Sequence, residues 1–99
     1  MELPIRVDND QLADFCRRHH LTKLAFFGSV LTDRFGPESD VDVLFEYDRD
    51  HIPTFFDIAD MEEELSVILG RKADMRSPGD LSEYFRDEVV RNALVQYAA

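Results

Sequence analysis

Apolar positions along this 99-residue chain recur with two different periods, and each switch marks an element. Asp8 is placed to cap a first helix, with Gln11 three residues on and Val7 able to staple against Leu12. Leu12, Phe15 and Cys16 form one apolar stripe, and the helix runs out near His19-His20. Lys23 to Phe27 is a nearly continuous apolar run, which predicts a strand buried on both faces. After a turn at Gly28-Ser29, Val30 to Asp33 has room only for a short helix, and the Gly36-Pro37 pair makes residues 34–39 a loop.

Asp40 to Glu46 alternates cleanly. Val41, Val43 and Phe45 face one side; Asp40, Asp42, Leu44 and Glu46 face the other. Pro53-Thr54 opens a longer helix with Asp57 three residues after Thr54. Ile58, Met61, Leu65 and Ile68 keep helical spacing in it, and Gly70 is a fitting stop. Lys72 to Arg76 predicts a short third strand carrying Asp74. Ser77-Pro78-Gly79-Asp80 restarts a helical tail in which Leu81, Phe85, Val89, Ala93, Leu94 and Tyr97 form the packed face. The predicted order α-β-α-β-α-β-α describes one small α/β (α+β) domain over residues 1–99. Its small mixed sheet of three or four strands is covered by helices.

Composition changes this picture little, but charge narrows the partners. At 44% apolar residues the chain can bury a core. No apolar run approaches the roughly 20 residues that span a bilayer, so no membrane is expected. Met1 to Arg6 lacks the charged and apolar regions of a signal peptide. The lone Cys16 rules out an internal disulfide, and the expected location is cytoplasmic. Twenty-one acidic residues face eleven basic ones, for a net charge of −10. Binding a duplex requires phosphates to be neutralised by Lys and Arg, so no direct nucleic acid is expected. One nucleotide with its metal ions remains compatible with that charge, and an acidic surface suits a basic protein partner.

The candidate chemistry lies in one spacing: Gly28-Ser29, ten residues, then Asp40-Val41-Asp42. A glycine lets the backbone approach phosphate oxygens, and Ser29 adds a hydroxyl and an amide at a helix start. Residues i and i+2 of a strand lie roughly 7 Å apart on one face. Carboxylate arms at that distance can converge on one or two Mg²⁺ ions about 4 Å apart. Asp also opposes strand propensity, a local violation expected where function overrides folding. Asp74, beside Ala73 and Met75, completes a carboxylate triangle if its strand neighbours that of Asp40, and is also placed to act as a base.

With these residues the chain resembles the polymerase-β-like nucleotidyltransferase superfamily. Its length and its ending Ser77-Pro78-Gly79-Asp80-Leu81-Ser82-Glu83-Tyr84-Phe85-Arg86-Asp87 are similar to minimal nucleotidyltransferases, the antitoxins of HEPN/MNT toxin–antitoxin pairs. The resemblance implies a nucleotidyltransferase fold and an Mg²⁺-dependent protein adenylyltransferase using two ions. ATP would be the donor, and AMP would pass to a tyrosine of a HEPN-domain ribonuclease toxin held in a hetero-oligomer. By position it gives Gly28 and Ser29 the nucleotide phosphates and Asp40 and Asp42 the metals. Asp74 takes the third carboxylate role, catalytic with the other two.

Two other readings stay open at this point. The protein could silence its toxin by binding alone, or modify a small molecule as aminoglycoside nucleotidyltransferases do, although no second domain for such an acceptor is legible. No base-reading residue is legible either. The remaining polar and aromatic residues take ordinary roles. His19, His20, His51 and Glu62-Glu63-Glu64 are solvated, and Arg34 and Arg76 form surface ion pairs. Phe55 and Phe56, which cannot both point inward, are core or partner-facing, and Tyr84 and Tyr97 pack.

Overall fold

The computed structural model describes residues 3–99; Met1 and Glu2, where the leader reading began, lie outside the described residues. Helix α1 (Asn9–Arg18) starts where its cap predicts, with the Asp8 carboxylate accepting from the amides of Asp10 and Gln11 at 3.0 and 3.1 Å. Strand β1 (Leu21–Phe27) begins two residues earlier than the apolar run suggests. It leads into a 3-10 turn, Gly28–Leu31, and strand β2 (Val41–Tyr47) follows the loop. Helix α2 (Phe55–Leu69) carries a complete capping box: the Asp57 amide donates to Thr54 Oγ1, and the Thr54 amide donates to the Asp57 carboxylate. It stops at Gly70, whose φ of +69° is left-handed. Strand β3 (Ala73–Arg76), a 3-10 turn Pro78–Asp80, helix α3 (Arg86–Asn92) and strand β4 (Leu94–Ala98) complete the order.

The helical tail is the main correction. Its spacing gave a helix through Tyr97, but helical backbone ends at Asn92, and residues 94–98 form a strand paired antiparallel with β1, Phe26 opposite Leu94 and Leu24 opposite Tyr97. Apolar residues four apart fit a helix, but β1 has a free edge whose N–H and C=O groups need partners, and β4 supplies them.

The sheet runs β3-β2-β1-β4, with β2 and β3 parallel and the other pairs antiparallel. One face, carrying Leu24, Phe26, Val41, Val43, Phe45 and Met75, packs on α1 and α2 through Leu12, Phe15, Met61 and Leu65. The other is only partly covered: Ala25 and Leu44 pack on Leu81, with Val89, Val90 and Ala93 beside them. The outer edge of β3 is closed by α2, where Ser66 Oγ accepts from the Ala73 amide at 2.9 Å and Glu62 from the Met75 amide at 2.7 Å. Glu62 is therefore an edge cap rather than part of a wet face. None of the described helices is long and apolar enough to cross a membrane.

Candidate active site

The half-covered face gathers the residues singled out by their spacing. Register brings Asp42 opposite Phe27 on β1 and opposite Asp74 on β3. Asp42 thus sits between the Gly28-Ser29 turn and the third carboxylate. Gly28 has φ +77°, and a Cβ there would lie 2.3 Å from Asp42 Oδ2. A side chain there would displace the Asp42 carboxylate, so glycine is favoured twice, for its dihedral and for the close approach. Ser29 lies in the 3-10 turn, half-buried. Asp40 immediately precedes β2, exposed at its mouth. The loop before it is tied down by Arg71, whose guanidinium donates to the carbonyls of Gly36 and Ser39 and lies 4.4 Å from the centre of the Phe35 ring. Sequence reasoning missed Arg71, because an arginine after a helix stop carries no local signal for a loop far upstream.

The electrostatics of this face are unbalanced. Burial pushes the Asp42 carboxyl above the ordinary carboxylate range; Asp74 and Asp40 push the same way, and Arg76 pulls it back. Arg76 Nη2 lies 3.2 Å from Asp74 Oδ2, and Lys72 Nζ lies 4.0 Å from Asp40 Oδ2. Arg76 therefore does form the ion pair expected of it, but on the candidate site itself. Among the described residues no three His, Cys, Asp or Glu side chains are gathered closely enough to hold a metal ion. The donor set still fits a hard divalent cation: carboxylate oxygens without thiolate or imidazole, on a face where Asp42 ionises against its surroundings.

Two cavities flank the site, one at the carboxylates and one at the glycine turn. One of about 360 Å³ opens between Asp40, Lys72, Asp74 and the Glu62–Ser66 turn of α2. Another of about 390 Å³ opens at Gly28, between the 3-10 turn and α3. The residues assigned ordinary roles cluster elsewhere. His19 lies against Glu64, the His20 ring stacks on His51 at 3.7 Å, and both Phe55 and Phe56 are exposed. Tyr84, read as packing, is 92% exposed.

Comparison with known proteins matches residues 9–97 to the nucleotidyltransferase domain family. A protein of Methanocaldococcus jannaschii that carries the name protein adenylyltransferase is 33% identical over 58 residues, 59% of this chain and 58% of the relative's length. This chain therefore aligns with less than two thirds of that relative. A solved structure described as a minimal nucleotidyltransferase superposes with a TM-score of 0.71 at 28% identity, covering 87% of this chain and 86% of the other. A toxin–antitoxin structure with AMP-PNP superposes with a TM-score of 0.73 at 15% identity, covering 94% of this chain and 75% of that one. This last similarity is one of fold.

Proposed function

Because this chain belongs to the nucleotidyltransferase domain family, we propose that it is an antitoxin that transfers AMP from ATP to a tyrosine hydroxyl of a cognate HEPN ribonuclease toxin. The observation that carries the reading is the seating of the Gly28 backbone on the Asp42 carboxylate, with Asp74 in register on the next strand. The toxin–antitoxin fold neighbour and the name of the archaeal relative support the partner and the acceptor class. The exposed rings of Phe55, Phe56 and Tyr84 are consistent with a protein partner.

In this reading the Gly28 and Ser29 amides and the Ser29 hydroxyl hold the phosphates of ATP, and Gly28 keeps the backbone close to them. Asp40, Asp42 and Asp74 would hold Mg²⁺, two ions in this reading, which would supply charge neutralisation for the transfer. The tyrosyl oxygen forms a bond to the α-phosphorus, the bond to pyrophosphate breaks, and the tyrosyl proton passes to a base, the role this reading gives Asp74. A tyrosine with an ordinary pKa near 10 needs that help at neutral pH. Asp74 must first exchange Arg76 for its new partners.

A second reading, neutralisation by binding alone, uses the same exposed rings of Phe55, Phe56 and Tyr84 and needs no turnover. One experiment separates the two. The protein is incubated with ATP, Mg²⁺ and the co-expressed HEPN partner, and the partner's intact mass and ribonuclease activity are measured. Transfer predicts AMP-sized increments and loss of ribonuclease activity, both abolished in Asp40→Ala/Asp42→Ala. Equal neutralisation by that double variant, with no mass change in either case, would leave the binding-only antitoxin standing.

A further inference from the structure

Gly28 belongs to two features at once. One side of its turn faces Asp42; the other borders the cavity of about 390 Å³ between the 3-10 turn and α3. A nucleotide whose phosphates lie on that turn has its sugar and base directed into adjoining space, and this cavity shares the turn's own residue. Its volume lies in the range of small-molecule sites. Phe27, Leu31 and Val89 supply a half-buried apolar lining suited to the face of a heterocycle.

The polar groups around it are unequal. Thr32 is spent, its hydroxyl donating to the Ser29 carbonyl at 2.9 Å and accepting from the Arg34 amide at 3.2 Å. Glu88 and Asn92 stand one turn apart on α3 at the exposed rim of the cavity, and neither side chain hydrogen-bonds to another described residue. Asn92 carries both a donor and an acceptor; an ionised Glu88 carries acceptors only, so its partner must be a donor. Of the donors a nucleotide offers, an exocyclic amino group lies farthest from the phosphates. Phe26 opposite Leu94 sets Asn92 beside the end of β1, next to the turn, and Glu88 one helical turn farther out.

We infer that this cavity holds the nucleoside end of the nucleotide, with Asn92 on the sugar side and Glu88 accepting from the amino group of an adenine. The inference rests on the nucleotidyl-transfer reading and adds the base selection that no sequence motif carries.

The test uses the full chain with Mg²⁺ and three probes, ATP, inosine triphosphate and inorganic tripolyphosphate, with dissociation constants from calorimetry. Inosine triphosphate differs from ATP in replacing the amino group by a carbonyl oxygen and in carrying a proton on the neighbouring N1. The parent is expected to bind ATP about tenfold more tightly than inosine triphosphate, the discrimination of one polar base contact. Glu88→Met, which keeps the side-chain length and removes both carboxylate acceptors, is expected to erase that ratio with tripolyphosphate binding unchanged. Leu31→Trp, which fills the cavity, should weaken ATP and leave tripolyphosphate as it was. A parent ratio near one, or one unmoved by Glu88→Met, overturns the amino contact. ATP binding unmoved by Leu31→Trp overturns the cavity assignment while the phosphate site stands. Failure of the parent to bind either ATP or tripolyphosphate removes the nucleotidyl-transfer reading and this inference with it.

Discussion

Two acidic regions on opposite sides of the sheet are built on opposite principles. Between α1 and α2, Glu64 accepts from Arg18 and faces His19 at 3.1 Å; the Arg18 hydrogen bond, more than any other influence, holds its carboxyl below the ordinary glutamate value. Arg18 also reaches Asp14 at 2.8 Å. On the half-covered face the imbalance runs the other way. Burial and two neighbouring carboxylates raise Asp42, and Arg76 offsets only part of that. The first region uses its charges to join helices, and the second leaves a negative site that a bound cation would complete. A net charge of −10 is shared between both uses, and only the pairing tells them apart.

The largest effect should come from breaking the second region's chemistry. Asp42→Asn is expected to lower AMP transfer by about a thousandfold, the scale of losing several kcal/mol of charge stabilisation, while folding as well as the parent or better without metal. Single-turnover transfer and thermal melts check the two halves. Loss of the Mg²⁺/ATP-dependent rise in Tm should accompany the loss of activity.

The two left-handed glycines sharpen the comparison at the level of stability. Gly28→Ala meets both a strained φ and the Asp42 carboxylate and should cost about 2 kcal/mol or more. Gly70→Ala meets strain alone, with nothing within 4 Å of the added methyl, and should cost about 1 kcal/mol. Urea denaturation orders them; equal costs would mean that the close approach to Asp42 is easily relieved.

The smallest effects are the pH dependences, and their signs oppose. The Glu64 carboxyl is lowered on folding, so its contribution is present above the unfolded value of 4.5 and is lost as pH falls through its lower folded value. The Asp42 carboxyl is raised, so its destabilising influence is present at neutral pH and fades as pH falls through its folded value toward 3.8. Glu64→Gln should therefore lower stability at pH 7 by about 0.5–1 kcal/mol, the scale of a partly exposed pair, with the difference closing below pH 4.5. Asp42→Asn should raise metal-free stability at pH 7, with its difference also closing on acidification. Melting temperatures across pH 3.5–7.5 read both, and like signs for the two variants would dissolve the comparison.

Residue by residue, legibility followed locality. The capping box of Thr54 and Asp57, the Asp8 cap and the stop at Gly70 are short-range hydrogen bonds and dihedrals, and each stood where its residue type implied. The alternation of β2 was right for Val41, Val43 and Phe45 but left Leu44 among polar neighbours; it is buried because the C-terminal segment covers that face. The tail misled because Leu81, Phe85, Val89, Ala93 and Tyr97 are spaced for a helix, while the partner that makes residues 94–98 a strand lies in β1.

The sequence by itself determined the elements up to β3, the glycine turn and the pair of carboxylates, because periodicity, caps and a fixed spacing act over a few residues. Tertiary structure alone decided that β3 lies parallel beside β2 with Asp74 opposite Asp42, that Arg71 ties the loop before Asp40, and that Arg76 sits on Asp74. It also decided that β4 closes the edge of β1 and brings Glu88 and Asn92 to the cavity at Gly28. These contacts join residues distant in the chain, and strand pairing follows from which unpaired edges and apolar faces are left to cover, a property of the assembled sheet rather than of any one segment.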